Sequence, residues 1–195
     1  MAQSGGQVVL VTGASSGLGN AIATHLAKKG MRVYGTCRNP SQAKRKDDEF
    51  FELIAMDSSD AESVQTAVDT VLKREGRIDL LVCNAGMGIA GPVEETPLAD
   101  IEQQMDVNFM GAVRAVKAVL PAMRQRGMTI LLVGSMAGRT GIPFQAFYSA
   151  SKFALEGFVE SLRLELRPFP VRLAIIEPGD FRTGFTAARK KLAKD

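Results

Sequence analysis

The chain has 195 residues, 46% of them hydrophobic, and a formal net charge of +3, a balance that suits one domain with a substantial core and does not argue for nucleic acid. It holds no run of eighteen apolar residues, so no membrane span is expected. One histidine and two cysteines without a CxxC leave little material for a metal site or a Ser-His-Asp triad, and no metal is expected. The polar start, Met1 to Gln7, does not read as a secretory signal, and reduced Cys37 and Cys83 in apolar runs fit a reducing compartment, so a cytoplasmic location is expected.

Residues 8–12 are a short β-branched run that reads as a buried strand. They lead into Gly13-Ala-Ser15-Ser16-Gly17-Leu18-Gly19 and then an amphipathic helix to about Lys29, closed by Gly30. A second strand covers 31–36, and a third covers 51–56 and ends at Asp57. The basic cluster Lys44 to Lys46 is answered at once by Asp47, Asp48 and Glu49 and reads as solvated surface. Residues 60–75 read as a helix with Ala61, Val64, Ala67, Val68 and Val71 on one stripe. The fourth strand, 80–83, ends in Asn84-Ala85-Gly86, and a long helical region follows over 98–126. The fifth strand, 129–133, precedes Gly134-Ser135; a helix covers 146–166; the sixth strand, 171–176, precedes Pro178-Gly179. Residues 183–194 read as weakly helical and basic.

This alternation predicts an α/β fold: a doubly wound, Rossmann-like parallel sheet of about six strands in a single domain. The strands are near-continuous apolar runs, as expected where helices cover both faces. Ligands bind such sheets beyond the carboxyl ends of the strands. Gly13 to Gly19, Asp57, Asn84 to Gly86, Ser135 and Pro178-Gly179 all follow strands, so they gather on that edge.

At the first strand–helix junction, glycines permit a tight turn and a close backbone approach to a pyrophosphate, and the helix N-terminus adds its positive dipole end. The spacing, Gly-x3-Gly-x-Gly, differs from the commoner Gly-x-Gly-x-x-Gly. The second strand ends in Cys37 and Arg38 rather than in an acid. A guanidinium there welcomes a 2′-phosphate, with Ser15 and Ser16 as further donors, which favours NADP(H) over NAD(H); the alternative is that Arg38 is a solvated loop residue.

Tyr148 and Lys152 lie one helical turn apart, so both side chains leave from the same face. A phenol titrates near 10, and lowering it to about 7 takes roughly 4 kcal/mol of differential stabilisation. A neighbouring ammonium in a partly desolvated site, with a second positive charge nearby, supplies stabilisation of that sign.

With Thr12 to Gly19, Asn84 to Gly86, Asn108, Ser135, Tyr148, Lys152, Pro178-Gly179 and Thr183 in order, the chain resembles the short-chain dehydrogenase/reductase family, and most closely the branch with 17β-hydroxysteroid and retinol dehydrogenases. The resemblance implies an NADP(H)-dependent oxidoreductase that interconverts a secondary alcohol and a ketone or aldehyde by hydride transfer. In it Tyr148 is the general acid/base, Lys152 lowers its pKa and bonds the nicotinamide ribose, and Ser135 bonds the substrate oxygen. Asn108 holds a water that connects Lys152 to solvent. Asp57 and Ser58 meet the adenine, Asn84, Ala85 and Gly86 line the cofactor, and Pro178, Gly179 and Thr183 meet the nicotinamide. A homodimer through the two long helices is implied as well.

Cys83 departs from the family's asparagine, a harmless change in a strand. Members usually continue beyond the position of Asp195, so residues 183–195 read as the start of an incomplete substrate loop, with an exposed sheet edge. That shortness keeps open a second reading, a nucleotide-binding regulatory or inactive homologue without turnover, and a third, a chain stable only in an oligomer.

Overall fold

The computed structural model describes residues 6–43, 50–181 and 184–192. In chain order the elements are β1 (Val8–Val11), α1 (Gly17–Lys28), β2 (Arg32–Cys37), β3 (Glu52–Ala55), α2 (Ala61–Glu75), β4 (Leu80–Cys83), β5 (Ile89–Ala90), α3 (Leu98–Met105), α4 (Gly111–Met123), β6 (Met128–Val133), α5 (Ala146–Glu165), β7 (Val171–Ile176), α6 (Phe185–Ala188) and β8 (Lys190–Lys191). Six strands pair in parallel in the order β3-β2-β1-β4-β6-β7. The chain leaves β1 toward one edge, then returns to β4 and builds the other half, so the order reverses between β1 and β4. That reversal opens a crevice at the carboxyl ends of the two central strands.

Alternation along each strand divides the core. Val8 and Leu10 face a cluster closed by Val64, Val68 and Val71 of α2, Val116 and Val119 of α4, and Leu155 and Val159 of α5. Val9 and Val11 face the other way, onto Ala23, Leu18, Ile22 and Leu26 of α1. The sequence on each helix explains its ends. Asp60 caps α2 by accepting from the Glu62 and Ser63 amides, and Gly76, at φ 70°, stops it. Edge strand β7 keeps most of its side chains half-buried, in line with the exposed edge expected of a six-stranded sheet.

Three expectations need correction. The long helix over 98–126 is two helices, α3 and α4, joined by a π turn over Asp106–Met110, and α4 ends at Met123. Helical periodicity continues through such a turn, which is why the pattern reads as one element. Ala61 is exposed, so the buried stripe of α2 starts at Val64. Of the weak helix over 183–194, Phe185–Ala188 is helical among the described residues, whereas Lys190 and Lys191 pair in parallel with Ile89 and Ala90 in a small second sheet. A two-residue strand leaves no period to detect in sequence.

Candidate active site

The crevice becomes a cleft of about 760 Å³ lined by Gly13, Gly17, Gly19, Arg38, Asn84, Ser135, Tyr148, Lys152 and Arg189, among others. At one end the β1–α1 turn is shaped by backbone geometry. Gly13 has φ 67°, a conformation that L side chains rarely adopt, and a Cβ there would sit 2.8 Å from the Ala85 Cα. A Cβ at Gly19 would run into the Asn84 amide and the Gly13 carbonyl. Ser16 is the N-cap of α1, but its side chain makes no capping bond. The first amides of α1 therefore lack the side-chain acceptor that would normally serve them and stand beside the cleft.

Two polar side chains tie this turn to the end of β4. The Thr12 hydroxyl accepts from the Asn84 and Ala85 amides, both at 2.9 Å. The Asn84 side-chain amide donates to the carbonyls of Thr12 and Gly13 at 2.9 and 3.0 Å. Thr12 is buried, and its role as the pin between two strand ends escaped sequence reading; a threonine closing a strand just before the glycine turn is the signal that was there to use.

Arg38 follows β2 on the rim of the cleft, and among the described residues no carboxylate forms an ion pair with it. Asp57 lines the same end, and its Oδ1 accepts from the Ser59 hydroxyl at 2.6 Å and the Ser59 amide at 2.9 Å. Those two bonds, with help from Arg38 and Arg114, hold its carboxyl below the usual carboxylate range. Ser58 also lines the cleft, and its carbonyl accepts from Arg114 at 3.1 Å. Pro178 and Gly179 line the far end, and the Pro178 carbonyl accepts from the Met136 amide at 3.1 Å. Thr183 lies outside the described residues.

Ser135, Tyr148 and Lys152 converge as their spacing predicts. Ser135 caps a short 3₁₀ turn, Met136–Gly138, and its hydroxyl accepts from the Ala137 amide at 3.1 Å. That turn packs so tightly on α5 that a Cβ on Gly138 would lie 3.1 Å from the Lys152 backbone. The close approach puts the Ser135 hydroxyl near enough to the Tyr148 phenol to favour its phenolate. The Lys152 Nζ donates to the Val133 carbonyl at 2.8 Å and lies 5.7 Å from the centre of the Tyr148 ring.

The electrostatics differ from the simple expectation that Lys152 draws the phenol down. Burial pushes the Tyr148 phenol above its ordinary value of 10; the nearby Ser135 hydroxyl and the Arg189 charge oppose this. Burial also pushes the Lys152 ammonium down to about 8. A desolvated ammonium whose one hydrogen bond goes to a carbonyl is itself short of stabilisation, so it has less to lend.

Asn108 sits in the π turn and is buried. Its Oδ1 accepts from the Met87 amide at 2.7 Å, and its Nδ2 donates to the Met87 carbonyl at 2.9 Å and to the Ser151 hydroxyl at 3.1 Å. Ser151 donates in turn to the Tyr148 carbonyl at 2.7 Å. Asn108 thus clamps the chain after β4 to the first turn of α5. Ser151 and Arg189 are the site residues that sequence reading missed.

The residues fit a dinucleotide: a glycine-containing turn at a helix N-terminus without a side-chain cap, with Arg38, Asp57, Tyr148 and Lys152 lining the same cleft of about 760 Å³. The short chain dehydrogenase family pattern matches residues 7–193. The chain belongs to the short-chain dehydrogenase family. It is 45% identical over 184 residues to a 3-ketodihydrosphingosine reductase of Bacteroides thetaiotaomicron, covering 94% of this chain and 67% of the relative. It is 41% identical over 191 residues to human 17-beta-hydroxysteroid dehydrogenase type 1, covering 91% and 58%. Among solved structures, a short-chain dehydrogenase from Streptomyces avermitilis superposes with a TM-score of 0.92 at 36% identity, over 99% of this chain and 73% of the other. One from Burkholderia phymatum in complex with NAD gives 0.88 at 28%, over 96% and 70%. An actinorhodin polyketide ketoreductase with NADPH gives 0.88 at 31%, over 93% and 73%. Among the described residues no helix is long and apolar enough to cross a membrane.

Proposed function

We propose that this chain is the dinucleotide-binding catalytic domain of an NADP(H)-dependent oxidoreductase that interconverts secondary alcohols with ketones or aldehydes. The observation that carries the reading is the meeting of Ser135, Tyr148 and Lys152 in one cleft with the open glycine turn. The two-electron exchange with the substrate carbon is supplied by the dinucleotide. Gly13 to Gly19 and the first amides of α1 would hold its phosphates, Asp57 and Ser58 its adenine, and Asn84, Ala85 and Gly86 would line it. Pro178 and Gly179 would meet the nicotinamide end. Arg38 on the rim of the cleft, with no carboxylate in an ion pair with it among the described residues, favours a cofactor carrying a 2′-phosphate.

In the reductive direction Ser135 donates to the substrate oxygen and Tyr148 passes its phenolic proton to it. Lys152 holds the ribose and stands behind the phenol, and Asn108 fixes the start of α5 so that Tyr148 points into the cleft. Met136, Ile142, Phe181 and Phe185 give the cleft an apolar wall that suits the carbon skeleton of such a substrate. Leu98, Met110, Phe153 and Leu164 leave apolar side chains exposed on α3, α5 and the π turn, which supports a homodimer through those helices.

The test is NADPH oxidation with a panel of ketones and aldehydes, beside NADPH and NADH affinities of Arg38→Asp. Turnover with NADPH and a reversed preference in the variant are expected. Stabilisation by NADPH without turnover of any carbonyl would leave a binding module and sink the enzymatic reading; an unchanged cofactor ratio would remove Arg38 from it.

A further inference from the structure

Arg189 is the feature of the cleft that this reaction leaves unused. It lies between α6 and β8, and its neighbours fix it from both sides. The Lys190 amide donates to the Gly88 carbonyl at 3.0 Å, the Leu192 amide donates to Ala90 at 2.9 Å, and the Lys190 Nζ pairs with Asp100 at 2.6 Å. The aliphatic stem lies along Gly88, where an added Cβ would be 3.3 Å from the Arg189 Cγ and Nε. The guanidinium sits 6.0 Å from the Phe185 ring centre, and that ring is 5.7 Å from the Tyr148 ring. One aromatic ring, Phe185, therefore links it to the Tyr148 ring in the same cleft. Its Nε is buried without a hydrogen-bond partner, and among the described residues no carboxylate pairs with it, Asp180 on the same rim included.

A guanidinium held in place and left unmatched in a binding cleft is arranged for an oxyanion from outside the fold. We propose that Arg189 is a substrate-recognition residue that binds a carboxylate or phosphate carried by the ketone or alcohol a few atoms from the carbon whose oxygen meets Tyr148. This rests on the cleft being the substrate site proposed above. It adds a substrate class: keto acids and hydroxy acids, or their phosphate counterparts, over neutral ketones, with substrates bearing an amine near the carbonyl disfavoured by like charge.

Levulinate and ethyl levulinate carry the same ketone and differ in charge, so the ratio of their kcat/KM values reads the guanidinium directly. The full chain should prefer the acid, and Arg189→Met should cut that ratio by about tenfold or more, the worth of one charge-assisted hydrogen bond. Arg189→Lys should retain part of it, which separates lost charge from a misfolded loop. A ratio unchanged in Arg189→Met overturns the inference. So does a loss of NADPH affinity that accounts for the change, because the guanidinium would then serve the cofactor's phosphate. An equal fall for both ketones with a displaced pH profile also overturns it, because Arg189 would then act on Tyr148 alone. Binding needs no turnover: calorimetry of 4-phenylbutyrate and 4-phenylbutyramide with the NADP-loaded chain should show the acid favoured in the parent and not in Arg189→Met. That outcome without turnover of any carbonyl would leave the anion site standing and the reaction refuted; equal binding of acid and amide by the parent would refute the site.

Discussion

The chain has two tyrosines, and their surroundings are opposite in sign. Tyr34, in β2, is buried and donates to the Glu75 carboxylate at 2.5 Å, and Glu75 also receives Arg32 at 2.9 Å. Burial raises the Tyr34 phenol, the Glu75 hydrogen bond and charge raise it further, and Arg74 and Arg32 offset only part of this. Burial raises Tyr148 as well, but there the next influences, the Ser135 hydroxyl and the Arg189 charge, favour the phenolate. Desolvation is common to both. Only the partners differ, and they separate a proton locked in place from one that can be passed on.

The largest effect that would break this contrast is in turnover. Tyr148→Phe should lower kcat by about 10²- to 10⁴-fold, the range for a lost general acid/base, with NADPH affinity kept. Tyr34→Phe should leave kcat within about twofold. Steady-state kinetics on both variants decides, and a Tyr148→Phe enzyme as fast as the parent ends the assignment.

Ser135→Ala should lower kcat by about 10²-fold, as for loss of one donor to a developing oxyanion. It also removes a hydroxyl whose presence favours the phenolate, so the Tyr148-dependent limb of the pH–rate profile should move to higher pH. A limb that stays in place would detach Ser135 from the phenol.

Lys152 gives a stability signal with a defined sign. Its ammonium titrates at about 8 in the fold against 10.5 for an ordinary lysine, so between those values the unfolded chain binds more protons. Stability should therefore rise with pH from about 8 toward 10.5 on this group's account. Lys152→Met should be more stable than the parent at pH 7 and should lose that rise. Urea melts across the interval test it, and a variant that keeps the rise would show that another group is responsible.

The smallest effect belongs to Tyr34. Tyr34→Phe should cost about 1 kcal/mol, equivalent to roughly 2–4 °C in Tm for a chain of this size. The Glu75 carboxyl is held below its ordinary value, first by the Tyr34 hydrogen bond. Its contribution is present above the ordinary glutamate range and is lost as pH falls through the lowered value. The parent's advantage over Glu75→Gln should shrink in acid, and a gap constant from pH 7 to pH 3 would contradict the assignment.

Much of the fold was legible because it is written in short-range pattern. Leu80–Cys83 and Val171–Ile176 are strands over the same residues that sequence reading selects, since an apolar run between turn residues has few alternatives. The i, i+4 spacing of Tyr148 and Lys152 needed only a helix to be meaningful. The π turn at Asn108 was hidden, because a single wide turn between two helices is too short to break a run of helix-forming residues. Arg189 was hidden for a different reason. Among the last basic residues it reads as surface, and it reaches Tyr148 through a two-residue ladder with Ile89 and Ala90, a hundred positions away.

By itself, then, the sequence determined the parallel sheet, the glycine turn and the identity of the catalytic candidates, since each depends on residue types a few positions apart. Tertiary structure alone decided how those candidates are tuned. Which carbonyl receives Lys152, what clamps Asn108, and which cation faces Tyr148 depend on contacts between distant segments. The energies of those contacts come from burial and mutual distance, and neither quantity exists until the chain is folded.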